Sequence, residues 1–410
     1  MSLKISKIGV FVLFLILLLY LSLLPTKPIG GYLDDIVPLV FFVFWIQYLV
    51  KNKKKSRERI IFLCLIIICI LGMISNITSG IHRSISDIVL DMFSFLKMFF
   101  VYLGTKALFD NRQKTIGTAV SILATFSKLF LLVGFFFGIL HHLGIVSLGE
   151  QERYGFRAYA FVFGNASQFG ILTGVATCFV IFENSKSRKL FTILGMLTLI
   201  MTLKGMSFII AGVYCSLYLL QTKKIKVWHL VIVGVVRAFL LRFQIYGYLL
   251  DSSAPRAVLL RYGIKTANRY FPLGAGFGTY GSDTAAKHYS PLYIQYGFAT
   301  REVLTYGSHS TLNDVYLGMV FGQFGWIGAS IAIVIFTLIG ISIFKAKNPN
   351  SHSFRMVISL FACLCGMAIM AGSIKVAGGQ LMLFCIQTFL CRNDCARTPL
   401  AIMSLLNQRG

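Results

Sequence analysis

The chain has 410 residues, of which 57% are hydrophobic and 13% charged, and its formal net charge is +25. Soluble domains average about 25% charged residues, so this composition excludes a soluble globular protein and indicates a polytopic membrane protein. The positive charge does not indicate a nucleic-acid partner. Many of the lysines and arginines lie in short links between apolar runs, which is the pattern of cytoplasmic membrane loops.

Apolar runs of membrane-spanning length recur along the chain and predict an all-α fold of about twelve transmembrane helices. We find no internal repeat and no low-complexity tract, and we expect residues 1–410 to form a single transmembrane domain. No clear small-residue cleavage site follows the first run, which is therefore interpreted as an uncleaved span. The runs occupy residues 8–24, 36–50, 59–75, 89–105, 117–140, 160–182, 190–203, 206–220, 228–247, 318–344, 356–372 and 378–393.

The short links predict the orientation of the chain. The densest basic cluster, within residues 51–59, belongs on the cytoplasmic side, where lysine and arginine are retained. Counting runs from this cluster places both termini in the cytoplasm, and the other strongly basic links agree. The external links are then residues 25–35, 76–88, 141–159, 204–205, 244–317 and 373–377. The first two of these and the last one carry no obvious site.

The largest external link is the loop of residues 244–317, between the ninth and tenth runs. It is rich in arginine and lysine, contains the glycine-dense turn Leu273–Gly278 and ends in the stretch Ser308–Asp314. Positive charge on a backbone with many glycines suits an anionic headgroup. A solvated surface loop is the alternative interpretation.

Six basic side chains lie near the predicted external membrane boundary. A charge at membrane depth costs about 2.5–3.5 kcal/mol on insertion scales, and positive charge outside opposes the insertion bias. A bound anion such as a pyrophosphate would compensate for these costs, whereas snorkelling to lipid phosphates is the alternative. The six are Arg153, Arg157, Lys204, Arg256, Arg261 and His309.

Several stretches resemble, in the expected order, motifs of the superfamily of O-antigen polymerases and O-antigen ligases. Arg157–Asn165 is similar to its arginine-to-asparagine signature, and Thr202–Gly205 to its serine-arginine turn. Arg261 followed by Pro272–Gly278 resembles its arginine and Pro-Leu-Gly-x-Gly pattern. Ser308–Leu317, followed by Gly322 and Gly325, resembles its histidine-asparagine-tyrosine-leucine helix start.

The resemblance covers residues 150–345 and has two departures. Lys204 stands where arginine is usual, and Gln323 stands where an acidic residue is common. Lysine keeps the charge but lacks the planar fork that arginine offers to phosphate.

The resemblance implies a metal-independent, inverting glycosyltransferase of the GT-C type, without a cofactor. Its donor would be an oligosaccharide on undecaprenyl pyrophosphate, used on the outer side of the bacterial inner (cell) membrane. A polymerase of O-antigen or exopolysaccharide repeat units would pass the growing chain to the next lipid-linked unit. A ligase would pass it to lipid A-core. Besides this substrate and membrane lipid, a flippase and a chain-length regulator are the expected partners.

The resemblance also implies roles for individual residues. Cations would stabilise the leaving pyrophosphate, and a histidine could accept the proton of the acceptor hydroxyl. Helix caps, a plain turn and a structural histidine are the alternative roles for the asparagines, the glycines and His309. The catalytic candidates are His309, Arg261 and Arg157. The substrate-binding candidates are Arg153, Asn165, Lys204, Arg256, Gly274, Gly276 and Asn313, and no metal ligand is expected.

Two other function classes remain open from the residues alone. A transporter, such as a flippase for the same lipid-linked units, would need charges buried among several spans. A structural or signalling membrane protein is the other class. The carboxylate pairs Asp34/Asp35 and Glu150/Glu152 come with no second feature of a hydrolase site, so we expect them to be solvated.

Overall fold

The computed structural model describes residues 7–24, 29–52, 56–153, 155–219, 251, 253–301, 303–346 and 351–407. The first eight helices run in sequence order before the gap at residues 220–250. They are α1 (Lys7–Ser22), α2 (Ile29–Lys51), α3 (Arg57–Thr78), α4 (Ile85–Phe109), α5 (Gln113–His142), α6 (Ala166–Glu183), α7 (Arg188–Met201) and α8 (Gly205–Leu219). The helices after the gap are α9 (Pro255–Arg269), α10 (Asp283–Lys287), α11 (Pro291–Gln295), α12 (His309–Leu312), α13 (Tyr316–Phe344), α14 (His352–Met370) and α15 (Ala377–Asn407).

The helices coincide with the predicted apolar runs. Eleven of the twelve runs overlap a helix, and the ninth run, 228–247, lies outside the described residues. In the described part of the chain, seven helices are long and apolar enough to cross a membrane, namely α2 to α6, α13 and α14. The chain is therefore a mostly helical protein of membrane-spanning type.

The fold is not entirely helical, because a small hairpin occupies the link between α5 and α6. Its strands are β1 (Gly149–Arg153) and β2 (Phe156–Tyr159), which pair antiparallel. The chain reverses at Gly155, whose φ of 80° lies in the region that glycine adopts without a steric penalty. The pairing places Arg153 opposite Phe156 and Glu152 opposite Arg157.

Small residues bring α6 and α8 into close contact beneath this hairpin. A Cβ on Gly170 of α6 would lie 1.9 Å from the Ser207 hydroxyl oxygen of α8, and one on Gly174 would lie 2.8 Å from Ile210. Glycine is the residue that permits such an approach between two helices in a membrane. This contact fixes the beginnings of α6 and α8 side by side.

The loop of residues 253–315 is an ordered structure rather than a solvated surface loop. Its short helices enclose an aromatic core that includes Tyr280, Tyr293 and Phe298, all of them fully buried. The loop also packs on α13 through α9, where a Cβ on Gly263 would lie 2.4 Å from the Gly318 carbonyl oxygen. The loop therefore has a definite position on the helix bundle.

The glycine turn, residues 273–278, joins the loop to three long helices. The Ala275 and Gly276 amides donate to the carbonyls of Gly322 and Gln323 in α13, at 2.9 and 2.8 Å. The Phe277 amide donates to Asn76 Oδ1 of α3 at 2.8 Å. The amides of this turn are therefore used inside the protein.

The same turn reaches α4 through a buried carboxylate. Asp91 accepts the Gly278 amide at 2.5 Å and the Gln323 side-chain amide at 2.7 Å. Glutamine can donate this second hydrogen bond, whereas an acidic residue at position 323 would place a carboxylate beside Asp91. Gln323 therefore has a local structural role beside Asp91.

Candidate functional site: a mixed-charge cavity beside an apolar groove

A cavity of about 480 Å³ lies where the links before α6, α8, α13 and α15 come together. Its size is within the range of small-molecule sites, which is about 300–1,000 Å³. We call it the mixed-charge cavity. It is lined by Arg153, Asn165, Ser167, Gln168, Ile171, Lys204, Gly205, Met206, Arg256, Asp283, Ser310, Thr311, Asn313, Asp314, Ala371, Gly372, Lys375 and Val376. Five of the candidates from the sequence line it, namely Arg153, Asn165, Lys204, Arg256 and Asn313.

Lys204 is held in the cavity by an acidic residue of the hairpin. Its Nζ lies 2.5 Å from Glu150 Oε2, and the lysine and glutamate side chains are only 15% and 21% exposed. The other oxygen of Glu150 accepts the Ala166 amide at the start of α6, at 3.1 Å. Glu150 is thus not solvated as expected. It anchors Lys204 and one end of a helix.

Asn165 is the N-cap of α6. Its Oδ1 accepts the amides of Ser167 and Gln168 at 2.9 and 3.1 Å, so the cap role that the sequence left open is the one observed. At the neighbouring helix, Gly205 and Met206 of the first turn of α8 line the cavity. The positive ends of two helix dipoles therefore lie at this cavity, which favours an anionic ligand.

Arg256 reaches the cavity from the first turn of α9. Its Nε and Nη2 both approach Asp314 Oδ2, at 2.7 and 2.5 Å. Both side chains are less than one-third exposed, so this ion pair is screened less than one on an open surface. The contact joins α9 to the segment that leads into α13.

Lys375 enters from the short 3-10 helix Gly372–Lys375, before α15. Its side chain is only 3% exposed, and its Nζ lies 3.8 Å from Asp283 Oδ2. Asp283 also accepts a hydrogen bond from the Asn313 side chain. The positive charge of Lys375 lowers the pKa of the Asp283 carboxyl below its usual value. Asp283 is therefore an anion throughout the neutral pH range.

The cavity combines both signs of charge with neutral hydrogen-bonding groups. Arg153, Lys204, Arg256 and Lys375 give four positive charges, against three negative charges from Glu150, Asp283 and Asp314, which leaves one net positive charge. Cations suit phosphate oxygens, whereas carboxylates and amides suit hydroxyl groups. The arrangement fits a ligand that carries both kinds of group.

Arg157 lies outside the cavity because of strand geometry. It is opposite Glu152 in the hairpin, at 3.7 Å, and both side chains are more than half exposed. Side chains alternate between the two faces of a hairpin, so the Arg157 pair and the Arg153 pair point in opposite directions. Arg157 instead lines a smaller cavity of about 310 Å³, with His141 and His142.

Arg261 lies outside the cavity because of helix geometry. It follows Arg256 by five residues in α9, which is about 500° of rotation, or 140° around the helix. The two arginines therefore cannot face the same ligand. Arg261 is exposed, and only Arg256 lines the cavity.

The remaining candidates are near the cavity but do not line it. His309 is exposed and its Nδ1 lies 3.1 Å from the Ala286 carbonyl oxygen, although the next residues, Ser310 and Thr311, line the cavity. Gly274 and Gly276 pack against α13 and α3. A Cβ would lie 2.4 Å from Gly325 N at the first position and 2.5 Å from Asn76 N at the second. Their close approach is to helices of this chain.

Four charged residues of this site are not among the candidates from the sequence, namely Glu150, Asp283, Asp314 and Lys375. The sequence predicts a solvated Glu150 and no obvious site in the link of Lys375, although a lone lysine in an external link is the same signal that identifies Lys204. Their partners lie in distant segments, so spacing along the chain could not reveal them.

A nearly apolar groove of about 580 Å³ lies between α13 and α14. It adjoins the mixed-charge cavity along the chain at two places. Tyr316 of the groove follows Asp314 of the cavity by two residues, and Ile369 of the groove precedes Ala371 of the cavity by two residues. The polar cavity and the apolar groove are therefore lined by neighbouring stretches of the chain, at the start of α13 and the end of α14.

A second cluster of charges is buried among the helices near the cavity. Lys97 of α4 forms ion pairs with Asp34 and with Asp35 of α2, the latter at 3.1 Å. Gln380 of α15 donates to Asp34 Oδ1 at 2.7 Å. The expectation that Asp34 and Asp35 are solvated is therefore wrong for Asp34, whose side chain is only 13% exposed.

The chemistry of the mixed-charge cavity is that of ion pairing and hydrogen bonding. Among the residues that the structure describes, no group of three or more His, Cys, Asp and Glu side chains is placed to hold a metal ion. Comparison of the sequence with protein-family models finds no match, and comparison with curated proteins finds no similar protein.

Proposed function

We propose that this protein is a lipid-linked oligosaccharide polymerase. It joins repeat units carried on undecaprenyl pyrophosphate into surface polysaccharide, on the outer side of the bacterial inner (cell) membrane. The proposal includes about twelve transmembrane helices in a GT-C-like arrangement, with both termini in the cytoplasm. The chemistry is an inverting, metal-independent glycosyl transfer.

One observation supports the proposal most strongly, namely a cavity and a groove that are lined by neighbouring stretches of the chain, at the start of α13 and the end of α14. A polyprenyl pyrophosphate sugar has an isoprenoid chain, two phosphates and a polyhydroxyl group in that order. The apolar groove suits the first, the cations suit the second, and the carboxylates and amides suit the third. A water-soluble sugar nucleotide would have no use for the groove.

The transfer step follows from this placement. The acceptor hydroxyl oxygen attacks the anomeric carbon of the donor and forms the new glycosidic bond with inversion. The bond from that carbon to the phosphate oxygen breaks, and the electron pair leaves with the undecaprenyl pyrophosphate. Arg256, Lys204, Arg153 and Lys375 stabilise the developing charge.

Two groups are the candidates for accepting the hydroxyl proton. His309 is next to the lining residues, and if its Nδ1 donates to the Ala286 carbonyl, its Nε2 is left as an acceptor. Asp283 lines the cavity directly. Because Lys375 lowers the pKa of Asp283, that carboxylate is the weaker base, and His309 remains our candidate for the general base.

The buried cluster around Lys97 favours a transporter as the second candidate, since transporters place charges among their spans. Further along the same helices, however, the described core is aromatic. Phe384 lies one turn beyond Gln380 and packs against Phe41 of α2, with ring centroids 6.2 Å apart, and both rings are fully buried. This aromatic pair interrupts the buried polar groups, which resume beyond it where Gln387 donates to Glu58. The interruption supports the enzyme over the transporter.

The test is the size distribution of surface polysaccharide in a strain that lacks this gene. Complementation with the wild-type gene should restore long chains, whereas Arg256→Ala or His309→Ala should leave single repeat units. Polymer that accumulates on the undecaprenyl carrier would instead indicate a ligase. Donor that accumulates on the inner leaflet would indicate a flippase. Long chains in the deletion strain itself would contradict all three.

A further inference from the structure

The side of α9 that faces away from the bundle carries a row of cations that the proposed transfer step does not use. Arg261, Lys265 and Arg269 follow one another at intervals of four residues, which places them along one face of the helix. All three are exposed, and Arg301 is exposed beside them. We call these four residues the cationic stripe.

The stripe is held by aromatic and amide groups rather than by carboxylates. Lys265 Nζ lies 5.2 Å from the centre of the Tyr262 ring, and the Arg301 guanidinium lies 5.8 Å from the same ring. Arg269 donates to Gln295 Oε1 at 2.8 Å. In the part of the chain that the structure describes, no ion pair involves any of the four cations. Among the described residues, their partners are rings and an amide, which orient the charges without a carboxylate.

The helix that carries the stripe, α9, is fixed by packing on its opposite face. Its opposite face buries Leu259, Gly263 and Ala267, and α9 packs on α13 through the contact of Gly263 with Gly318. Like charges four residues apart destabilise a helix, so a row of them without counter-charges is consistent with an anionic ligand. Half-buried tyrosine rings between the cations offer apolar faces for the C–H surfaces of sugar rings.

We propose that the cationic stripe binds an acidic glycan, one that carries carboxylate groups along its chain. The arginines would bind the carboxylates in a bidentate manner, and the axial spacing of about 6 Å between residues four apart would present one cation after another to a linear polymer. This inference rests on the proposed function, because it names the class of glycan that the polymerase extends. The growing chain would be held on α9 while its reducing end lies in the mixed-charge cavity.

A membrane surface with anionic lipids is the competing partner. The C-terminal end of α9 lies beside Trp326, whose indole nitrogen donates to Asn268 Oδ1, and tryptophan is common at membrane interfaces. Arg261 lies eight residues, or about 12 Å, along the axis from Arg269, and Arg301 belongs to a different segment. Tyrosine rings lie beside the cations along this length of about 12 Å, and such rings stack on sugar rings. They therefore favour the glycan over the membrane surface.

The experiment measures binding of oligogalacturonate to the full-length protein in nanodiscs of uncharged phosphatidylcholine. The fully methyl-esterified oligogalacturonate is the matched probe, because it has the same chain without the charges. We expect wild type to bind the acidic form at least tenfold more tightly, with an affinity that falls as salt is added. The triple variant Arg261→Gln, Lys265→Gln, Arg269→Gln should lose at least tenfold in affinity.

Two controls separate this inference from the proposed function. Lys287→Gln removes an exposed lysine elsewhere in the loop and should bind as wild type, whereas Lys265→Gln alone should weaken binding by two- to threefold and serves if the triple variant does not fold. Arg256→Ala should slow transfer by about 100- to 1,000-fold and keep oligogalacturonate binding. If wild type shows no transfer of lipid-linked units, the proposed function fails, and the binding result still stands.

Three outcomes would overturn the inference. The first is a triple variant that folds and binds oligogalacturonate as wild type does. The second is equal binding of the acidic and esterified forms by wild type. The third is a triple variant that loses only its interaction with phosphatidylglycerol nanodiscs, which would assign the stripe to the membrane surface.

Discussion

The glycine turn and the mixed-charge cavity belong to the same outer part of the chain but use their polar groups differently. In the turn, the amides of residues 274–278 donate to groups of this chain. In the cavity, Arg153, Gln168 and Ser310 line open space. A glycine-rich motif and a cationic motif look equally suited to phosphate in the sequence. What distinguishes them in the structure is whether their polar groups are already hydrogen-bonded within the protein.

The largest effect should come from breaking the glycine turn. In Gly276→Ala, the new Cβ would lie 2.5 Å from the Asn76 backbone nitrogen, at a φ of 92°. The left-handed backbone costs about 1–2 kcal/mol and the clash about 1–3 kcal/mol more. We expect loss of folded protein, measured as the thermal midpoint in detergent. Gly307→Ala is the control, because Gly307 has the same φ with nothing within 4 Å. Equal midpoints for both variants would show that the close approach is unimportant.

The next effect concerns the two arginines of α9. Arg256→Ala should lower kcat by about 100- to 1,000-fold, the loss typical of one donor that stabilises a leaving charge. Arg261→Ala should instead raise KM for an acidic donor chain and leave kcat unchanged, because Arg261 lies about 140° away on the helix. Both variants should keep the thermal midpoint of wild type within a few degrees. A fall in kcat for Arg261→Ala as large as that for Arg256→Ala would contradict the assignment.

A smaller effect should appear as a pH dependence at Lys375. Lys375 lowers the pKa of Asp283, so the carboxylate contributes stability above its unfolded pKa of about 3.9 and loses it as pH falls through the lower folded value. The stability of wild type relative to Lys375→Met should therefore be constant from pH 8 to pH 5 and decrease below pH 4. In an Asp283→Asn background, the same comparison should be flat with pH. A difference that changed between pH 6 and pH 8 would implicate another group.

The smallest effect should distinguish two carboxylates of the hairpin. Glu152→Gln breaks an exposed ion pair with Arg157 and should change stability by less than about 0.5 kcal/mol. Glu150→Gln weakens a partly buried contact with Lys204 and should cost about 1–2 kcal/mol. Denaturation of both variants under the same conditions gives the comparison. Equal effects would mean that the partial burial of Glu150 has no energetic consequence.

The apolar runs predicted the long helices well, since membrane-spanning helices are defined by length and hydropathy alone. They also placed Arg153, Lys204 and Arg256 on one side, and the structure brings these three together. Arg157 and Arg261 lie outside this cavity for geometric reasons. The position of Arg157 depends on a hairpin, and that of Arg261 depends on the rotation of a helix within a loop that has no membrane period.

Other parts of the site could not be predicted because their partners are distant in sequence. Gly274 and Gly276 looked like an anion-binding turn until α3 and α13 were seen to surround them. Lys375 becomes important only through Asp283, which precedes it by 92 residues. A single sequence does not show such pairs, because charge and glycine content describe the composition of a segment and not its tertiary contacts.

The position of Asp91 has a consequence for how the protein is made. The ribosome delivers α4 to the membrane long before it synthesises Gly278 and Gln323, which follow Asp91 by 187 and 232 residues. In the half-made chain this carboxylate cannot yet have those two donors, and a carboxylate without donors is unfavourable in an apolar phase. The early helices are therefore completed by the late ones. A ribosome that stops before residue 270 should release a product that membrane proteases recognise and remove.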